Sequence, residues 1–234
     1  MRMSDGDNEG TAPSLRRQMQ KITHVTLNEQ ARLNIRESLM SGAFSPGEVL
    51  TIRGLAGDFG ISATPIREAL KSLVAEGVLV TLPNRSIAVP TMTQEQFQEL
   101  RMIRVALEGL CVELAAPRIS GNMLRRLTAQ HRRMVAAVES ADVREYMRLN
   151  EAFHLDIYRA AERDTLLGYI ENLWLRVGPY MTLLFKSTDF FGGATHAHGR
   201  ILEALTARDA VAAKEAVQHD INAAAECLLA QFEE

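Results

Sequence analysis

Apolar residues recur at helical spacing through Leu27, Ala31, Ile35 and Leu39, which predicts an amphipathic helix over 27–40. Ser41-Gly42 ends it, and Ser45-Pro46-Gly47 makes a turn. A short helix follows over 53–59 and stops at Gly60. Ser62 stands where an N-cap is wanted for a third helix over 63–76, which Gly77 closes. Two β-like runs, 78–82 and 87–89, flank Pro83-Asn84-Arg85-Ser86 and predict a hairpin with Asn84 at positive φ. Three helices followed by a hairpin is the order of a winged helix-turn-helix.

From Thr93 onward the pattern becomes wholly helical, over 94–116, 121–139, 142–161, 164–186, 195–207 and 209–231. Breaks fall at Pro117, Ser120-Gly121, Ala141-Asp142, Arg163-Asp164 and Phe191-Gly192-Gly193, with Ser, Thr or Asp recurring at the starts. Helices joined this closely predict an antiparallel bundle. The expected protein is mainly α. It has a mobile tail over 1–26, a winged helix-turn-helix over 27–91 and a helical effector-binding and dimerisation domain over 92–234.

Composition narrows the setting. A hydrophobic fraction of 47% and a charged fraction of 24% are those of an ordinary globular chain. No apolar run is long enough to span a bilayer, so no membrane role is expected. Met1 to Gly10 is polar and lacks a signal-peptide core, so a cytoplasmic protein is expected. Cys111 and Cys227, both within helical apolar stretches, read as free thiols. Net charge is −3, against a nucleic-acid partner at first sight. Residues 20–91 nevertheless balance at +1 and residues 92–234 at −4. So weak a positive balance leaves the DNA reading to rest on motif and placement.

The helix over 63–76 carries Ala63, Thr64, Arg67 and Lys71 on one side, and Ile66, Ala69, Leu70 and Leu73 on the other. A DNA-recognition helix needs that division, polar groups toward bases and phosphates and an apolar face toward its scaffold. The stretches Ser45-Pro46-Gly47, Leu55-Ala56, Gly60-Ile61-Ser62, Thr64-Pro65-Ile66-Arg67-Glu68-Ala69-Leu70, Leu73 and Glu76-Gly77 resemble the DNA-binding domain of the GntR superfamily. The resemblance implies double-stranded operator DNA as partner. It also implies phosphate contact by Arg53, phosphate contact or capping by Ser62 and Thr64, and a base or phosphate contact by Arg67. Ala63 stands where the family usually has Arg, and Asn84-Arg85 where the wing tip usually has Gly. Loss of a bidentate guanine contact forfeits about 1–3 kcal/mol of discrimination at that base pair. Ala63 is instead suited to a thymine methyl, so the family's usual operator is not assumed.

The remainder resembles the FadR-like, or FCD, effector domain. The matching pieces are Arg104-Val105-Ala106-Leu107-Glu108, Asn150-Glu151-Ala152-Phe153-His154, His198 to Leu205, Ala207-Arg208-Asp209-Ala210 and His219. The resemblance implies metal ligation at Asn150, His154, His198 and His219. Chemistry singles out the same positions, because Asn150 and His154 share a helix face and the other two lie on consecutive later helices. Three imidazoles and a neutral oxygen suit a divalent ion such as Zn²⁺ or Ni²⁺. Family effectors are often small carboxylic acids, and Arg104 is a candidate carboxylate clamp. An intrahelical pair with Glu108 is the competing reading. Trp174, Tyr180, Met181 and Phe185 fit a core stripe or a cavity lining equally well.

Three functions follow from these features. One is a ligand-responsive regulator, a non-enzyme that acts as a homodimer and represses until an effector binds. Another is a metal-dependent hydrolase using metal-bound water, although Glu151 turns off the Asn150 face. The last is an architectural DNA-binding protein whose bundle only dimerises. The regulator is the reading adopted, because a DNA-binding domain is attached and no general base stands beside the histidines; a single recognition helix per chain calls for two-fold pairing on a palindrome.

Overall fold

The computed structural model describes residues 26–186 and 190–232, so nearly all of the expected tail lies outside the described residues. Thr26 caps helix α1 (Leu27–Met40), its side chain accepting from the Glu29 amide. The predicted stripe is the buried one, with Ala31, Ile35 and Leu39 at 1% exposure or less. Helix α2 (Ile52–Phe59) is closed by Gly60 at φ +65°, and α3 (Ala63–Ala75) opens from Ser62. Ile66, Ala69, Leu70 and Leu73 of α3 are fully enclosed with Leu55 of α2 and the α1 stripe.

The predicted hairpin forms from β2 (Val80–Thr81) and β3 (Ile87–Ala88), and β1 (Val49–Leu50) adds a strand not expected from the sequence. The sheet is antiparallel in the order β1-β3-β2, with Val49 and Val80 both opposite Ala88. A two-residue strand is too short to show alternation. The wing turn corrects a second expectation, since positive φ falls on Arg85, at 66°, and not on Asn84. Arg85 N–H donates to the Leu82 carbonyl and Leu82 N–H to the Ser86 carbonyl, both at 2.8 Å. This is a three-residue loop whose last residue takes the left-handed conformation. The Asn84 side chain instead accepts from the Ser86 amide at 3.0 Å.

After the linker come α4 (Gln94–Ala115), α5 (Gly121–Glu139), α6 (Val143–Arg159), α7 (Asp164–Met181), α8 (Phe190–Ala207) and α9 (Ala210–Leu229). Thr93 and Gln96 build a reciprocal capping box at the start of α4. The helix α4 runs along α9, α9 along α8, and α5 along both α6 and α8. Their shared core includes Leu100, Leu127, Met134, Met147, Phe153 and Tyr158. Phe191-Gly192-Gly193, expected as a break, lies inside α8. Glycine lowers helix propensity by about 1 kcal/mol without forbidding the conformation.

The helix α7 joins the two cores. Its Leu175 belongs to the N-terminal core, while the adjoining Trp174 belongs to the helical one. Gly178 brings α7 against the end of α1 so closely that a Cβ there would stand 2.2 Å from the Leu39 carbonyl oxygen. Gly42, at φ +70°, completes the contact from the other side. The Tyr180 hydroxyl accepts from the Met92 amide at 2.5 Å and ties down the linker. Gly178→Ala is therefore expected to destabilise the fold by roughly 1–3 kcal/mol through overpacking against backbone. Thermal melting beside a Gly168→Ala control, where a Cβ meets nothing within 4 Å, checks this.

Candidate functional site

The expected DNA-contacting residues lie together on the first part of the chain. Arg53 is exposed on α2, and Ser62, Ala63, Thr64 and Arg67 are exposed along the first turns of α3. Ser62 makes no side-chain cap bond, so its hydroxyl is not committed to its own helix. Lys71 is held at 3.0 Å by Glu68, which dilutes its charge. Asn84 and Arg85 are exposed at the tip of the wing. The start of α3 and the wing tip are thus both open to solvent, as the elements that enter grooves in winged-helix recognition must be.

The second site lies in the helical core. His154 of α6 and His198 of α8 are 2% and 1% exposed, and their Nε2 atoms are 3.1 Å apart. Asp220 of α9 places one carboxylate oxygen 3.3 Å from His154 Nε2 and the other 3.9 Å from His198 Nε2. Ligand atoms of all three lie within 4.8 Å of one another. Asn150, 4% exposed, lines a small cavity with His154, Asp220, Arg104, Trp174 and Tyr146. The space open to a water centre is about 10 Å³, room for one water or ion and no more. Burial works against the charge of Asp220, but His198, His154 and Arg104 outweigh it and hold the carboxyl below its usual range.

His219 is not part of this cluster. It is exposed on α9, and Asp220 faces inward in its place. One residue turns a side chain by about 100° around a helix. The buried stripe of α9 runs through Ala213, Ala216, Val217, Ile221 and Ala224. Asp220 falls on that stripe and His219 beside it, so the periodicity held the signal that favours the aspartate.

A hydrogen-bonded chain orients His154 and puts a hydrogen on its Nδ1. Its Nδ1 lies 3.2 Å from the Tyr158 hydroxyl, which donates to Glu108 Oε2 at 2.7 Å. Burial, and next the neighbouring Glu108, push the Tyr158 phenol well above its usual range, so it keeps its proton. With that single proton given to Glu108, Tyr158 can only accept from His154. Nδ1 therefore carries hydrogen, and Nε2 is the nitrogen that faces His198 and Asp220, its lone pair available to a metal whenever the ring is neutral. This is how an imidazole is set to ligate a metal, its other nitrogen held by an outer partner. Two imidazoles, a carboxylate and an amide oxygen fit a borderline divalent ion.

Arg104 takes the intrahelical pairing. Its Nε donates to Glu108 Oε1 at 2.6 Å, and its guanidinium stacks 5.3 Å from the Trp174 ring centre. It lines the cavity beside His154 and Asp220 at the same time, so the pairing does not remove it from the site. Trp174 Nε1 also donates to Glu108 at 3.1 Å. Glu108 is thus saturated, and Glu151 looks away into a groove with Arg36 and Glu37 of α1. Burial first, then Glu37, raises the Glu151 carboxyl to about 7. Neither carboxylate is placed to act as a general base at the His154–His198 cluster.

Comparison with known proteins agrees with this division. Residues 27–89 match the family described as bacterial regulatory proteins, gntR family, and residues 99–223 match the FCD domain. The HTH-type transcriptional regulator McbR of Escherichia coli (strain K12) is 32% identical over 201 residues, 85% of this chain and 89% of its own. The HTH-type transcriptional repressor RspR of the same organism is 25% identical, over 82% of this chain and 85% of its own. The solved structure of E. coli McbR/YncC superposes with a TM-score of 0.84 at 28% identity, covering 89% of this chain and all of that one.

Tyr158→Phe tests the outer chain of contacts. It strands the His154 Nδ1 proton and is expected to cost about 1–3 kcal/mol of stability. Affinity for an added divalent ion should fall about 10–100-fold, as for other outer partners of ligating histidines. Calorimetric titration with Zn²⁺, alongside urea unfolding, measures both.

Proposed function

Because the chain belongs to the GntR family of bacterial regulatory proteins and carries an FCD domain, we propose that it represses transcription until a small carboxylate binds beside a divalent ion in its helical core. The observation that carries this reading is the pair of buried imidazole nitrogens 3.1 Å apart beside the Asp220 carboxylate. His154, His198 and Asp220 would hold the ion, with Asn150 as a neutral oxygen donor and Zn²⁺ or Ni²⁺ the best matches. The ion would supply a Lewis-acid anchor for the effector's carboxylate. Arg104, on the same cavity wall, adds positive charge toward an anion.

The cavity holds an ion but not an organic acid, so effector entry requires the surrounding helices to part. One of them, α7, is built into the DNA-binding core through Leu175. Movement at the site therefore reaches the reading head without a separate relay. The protein acts in this reading as a homodimer on a palindromic operator, each copy inserting one α3 into the major groove. A hydrolase has less support, since Glu108 is fully engaged and Glu151 faces away.

Arg67→Ala is expected to weaken binding to the protein's own upstream DNA by roughly 1–3 kcal/mol while leaving the fold intact. A gel-shift titration at fixed salt reads the loss, and unchanged affinity would remove Arg67 from the contact set. The metal makes a separate prediction. Zn²⁺ or Ni²⁺ added to chelator-stripped protein should raise the melting temperature by preferential binding to the native state. His198→Ala and Asp220→Asn should abolish or strongly reduce that rise, and His219→Ala should keep it. A rise kept in Asp220→Asn but lost in His219→Ala would reverse the ligand assignment. No rise in the wild type would sink the metal reading.

A further inference from the structure

A cleft of about 420 Å³ lies where the reading head meets the helical domain. Glu76 at the end of α3, Val80 of β2, and Pro90 and Met92 of the linker line it, together with Asn172 and Arg176 of α7. Small-molecule sites commonly enclose about 300–1,000 Å³, and junctions between domains are where they concentrate. The cavity at His154 is by contrast about 10 Å³, and the two share no lining residue.

The polar groups of the cleft are not matched to one another. Among the described residues Arg176 is exposed and makes no ion pair or hydrogen bond, and the Asn172 carboxamide makes no hydrogen bond either. They stand four residues apart, on one face of α7. The other charged group in the lining, Glu76, is already engaged. Its carboxylate accepts from Arg32 and Arg36 of α1 and from the Ser72 hydroxyl. Arg176 is therefore the one charge of this lining left without a counter-ion among the described residues. A guanidinium with a carboxamide next to it offers the donors that a carboxylate accepts best. Val80, 38% exposed, and half-buried Pro90 and Met92 add apolar surface to the same cleft.

We infer that this cleft is a second effector site, for a small organic carboxylate whose anionic group meets Arg176 and Asn172 and whose apolar body lies on Val80, Pro90 and Met92. The inference does not depend on the ion proposed above, since none of its residues belongs to the His154–His198 cluster. A ligand seated there touches the end of α3, the wing, the linker and α7 at once, so its occupancy is coupled to the placement of the head. Operator DNA and this ligand must then change each other's affinity by the same factor.

The test titrates chelator-stripped, full-length protein with benzoate in a calorimeter, with benzamide and benzylamine as the neutral and cationic counterparts. Benzoate should saturate one site per chain. The other two should bind about tenfold more weakly or worse, as loss of a charge-assisted hydrogen bond requires. Arg176→Gln and Val80→Asp should each weaken benzoate by a similar factor while helical circular dichroism is unchanged. His198→Ala should bind benzoate as the wild type does. Benzoate should also shift the operator dissociation constant of the wild type severalfold at fixed salt, and leave that of Arg176→Gln where it was. Binding lost in His198→Ala but kept in Arg176→Gln would return the carboxylate to the metal site and overturn the cleft assignment alone. Tighter binding of benzylamine than of benzoate would make Glu76 the recognising group and overturn the anion assignment. Benzoate that binds without moving the operator curve overturns the coupling. No saturable benzoate binding at millimolar concentration overturns the site itself, and leaves the metal-dependent rise in melting temperature as a separate question.

Discussion

A carboxylate with no exposed surface, that of Glu108, lies at the centre of the helical domain, and much of the domain is arranged to neutralise it. An isolated charge there would cost several kcal/mol, and removing one partner from such a group typically costs about 3–5 kcal/mol. Glu108 meets this with three donors from three helices: Arg104 on α4, Tyr158 on α6 and Trp174 on α7. The same contacts therefore fix the relative placement of α4, α6 and α7. They also set the chemistry next door. Tyr158, donating to Glu108, accepts from His154 Nδ1 and leaves that imidazole's Nε2 toward His198 and Asp220. Structural neutralisation and preparation of the ligand site are one network, which explains why so much polarity sits inside an apolar bundle.

The position of α7 gives that network reach. Trp174 bonds Glu108, and the next residue, Leu175, packs in the N-terminal core. Adjacent residues on a helix point about 100° apart, so a single helix can face two cores. The contact at Gly178 leaves no space between α7 and the end of α1, and close-packed elements shift as bodies more readily than they deform. Rotation or translation of α7 that relieves a widened cavity must therefore displace α1, which packs directly on α3. In the regulator proposed above, the path from effector to recognition helix would run through α7 and the α1–α3 contact, with no loop in between.

Strong periodicity was legible in the sequence and weak local signals were not. The stripe of α1, the division of α3 into Arg67 and Ile66 sides, and the start of α5 all follow from spacing and caps alone. The misses share a physical cause, competition between a local preference and tertiary packing. Gly192 and Gly193 read as a break, yet α8 continues through them, as a modest propensity cost allows. Asn84 is the better left-handed residue by type, but its side chain is used on the Ser86 amide and Arg85 takes the positive φ. His219 drew attention because histidine is the commoner metal ligand, whereas burial on α9 follows the stripe that contains Asp220. Glu108 and Tyr158 each stand four residues beyond a partner, Arg104 and His154, so half of the central network was present as pairs on single helices. Its closure between helices required the fold.

Electrostatics decides how such a reading head can be selective. Affinity for any DNA grows with the number of phosphates neutralised, because each contact releases counterions. This head is sparing: residues 20–91 balance at only +1, and Lys71 spends part of its charge on Glu68. The helical domain adds −4 and repels the duplex wherever it approaches. One head alone therefore has little hold on arbitrary sequence, which suppresses non-specific binding across a genome of competing sites. Useful affinity must come from base contacts by the few exposed groups of α3 and, in the homodimer proposed above, from two heads held at a fixed spacing. When both heads are needed, a small change in their separation is enough to lose the operator. A rigid α7 linked to a tight internal site is suited to impose that change, and a more basic head would blunt it by holding on to the phosphates regardless.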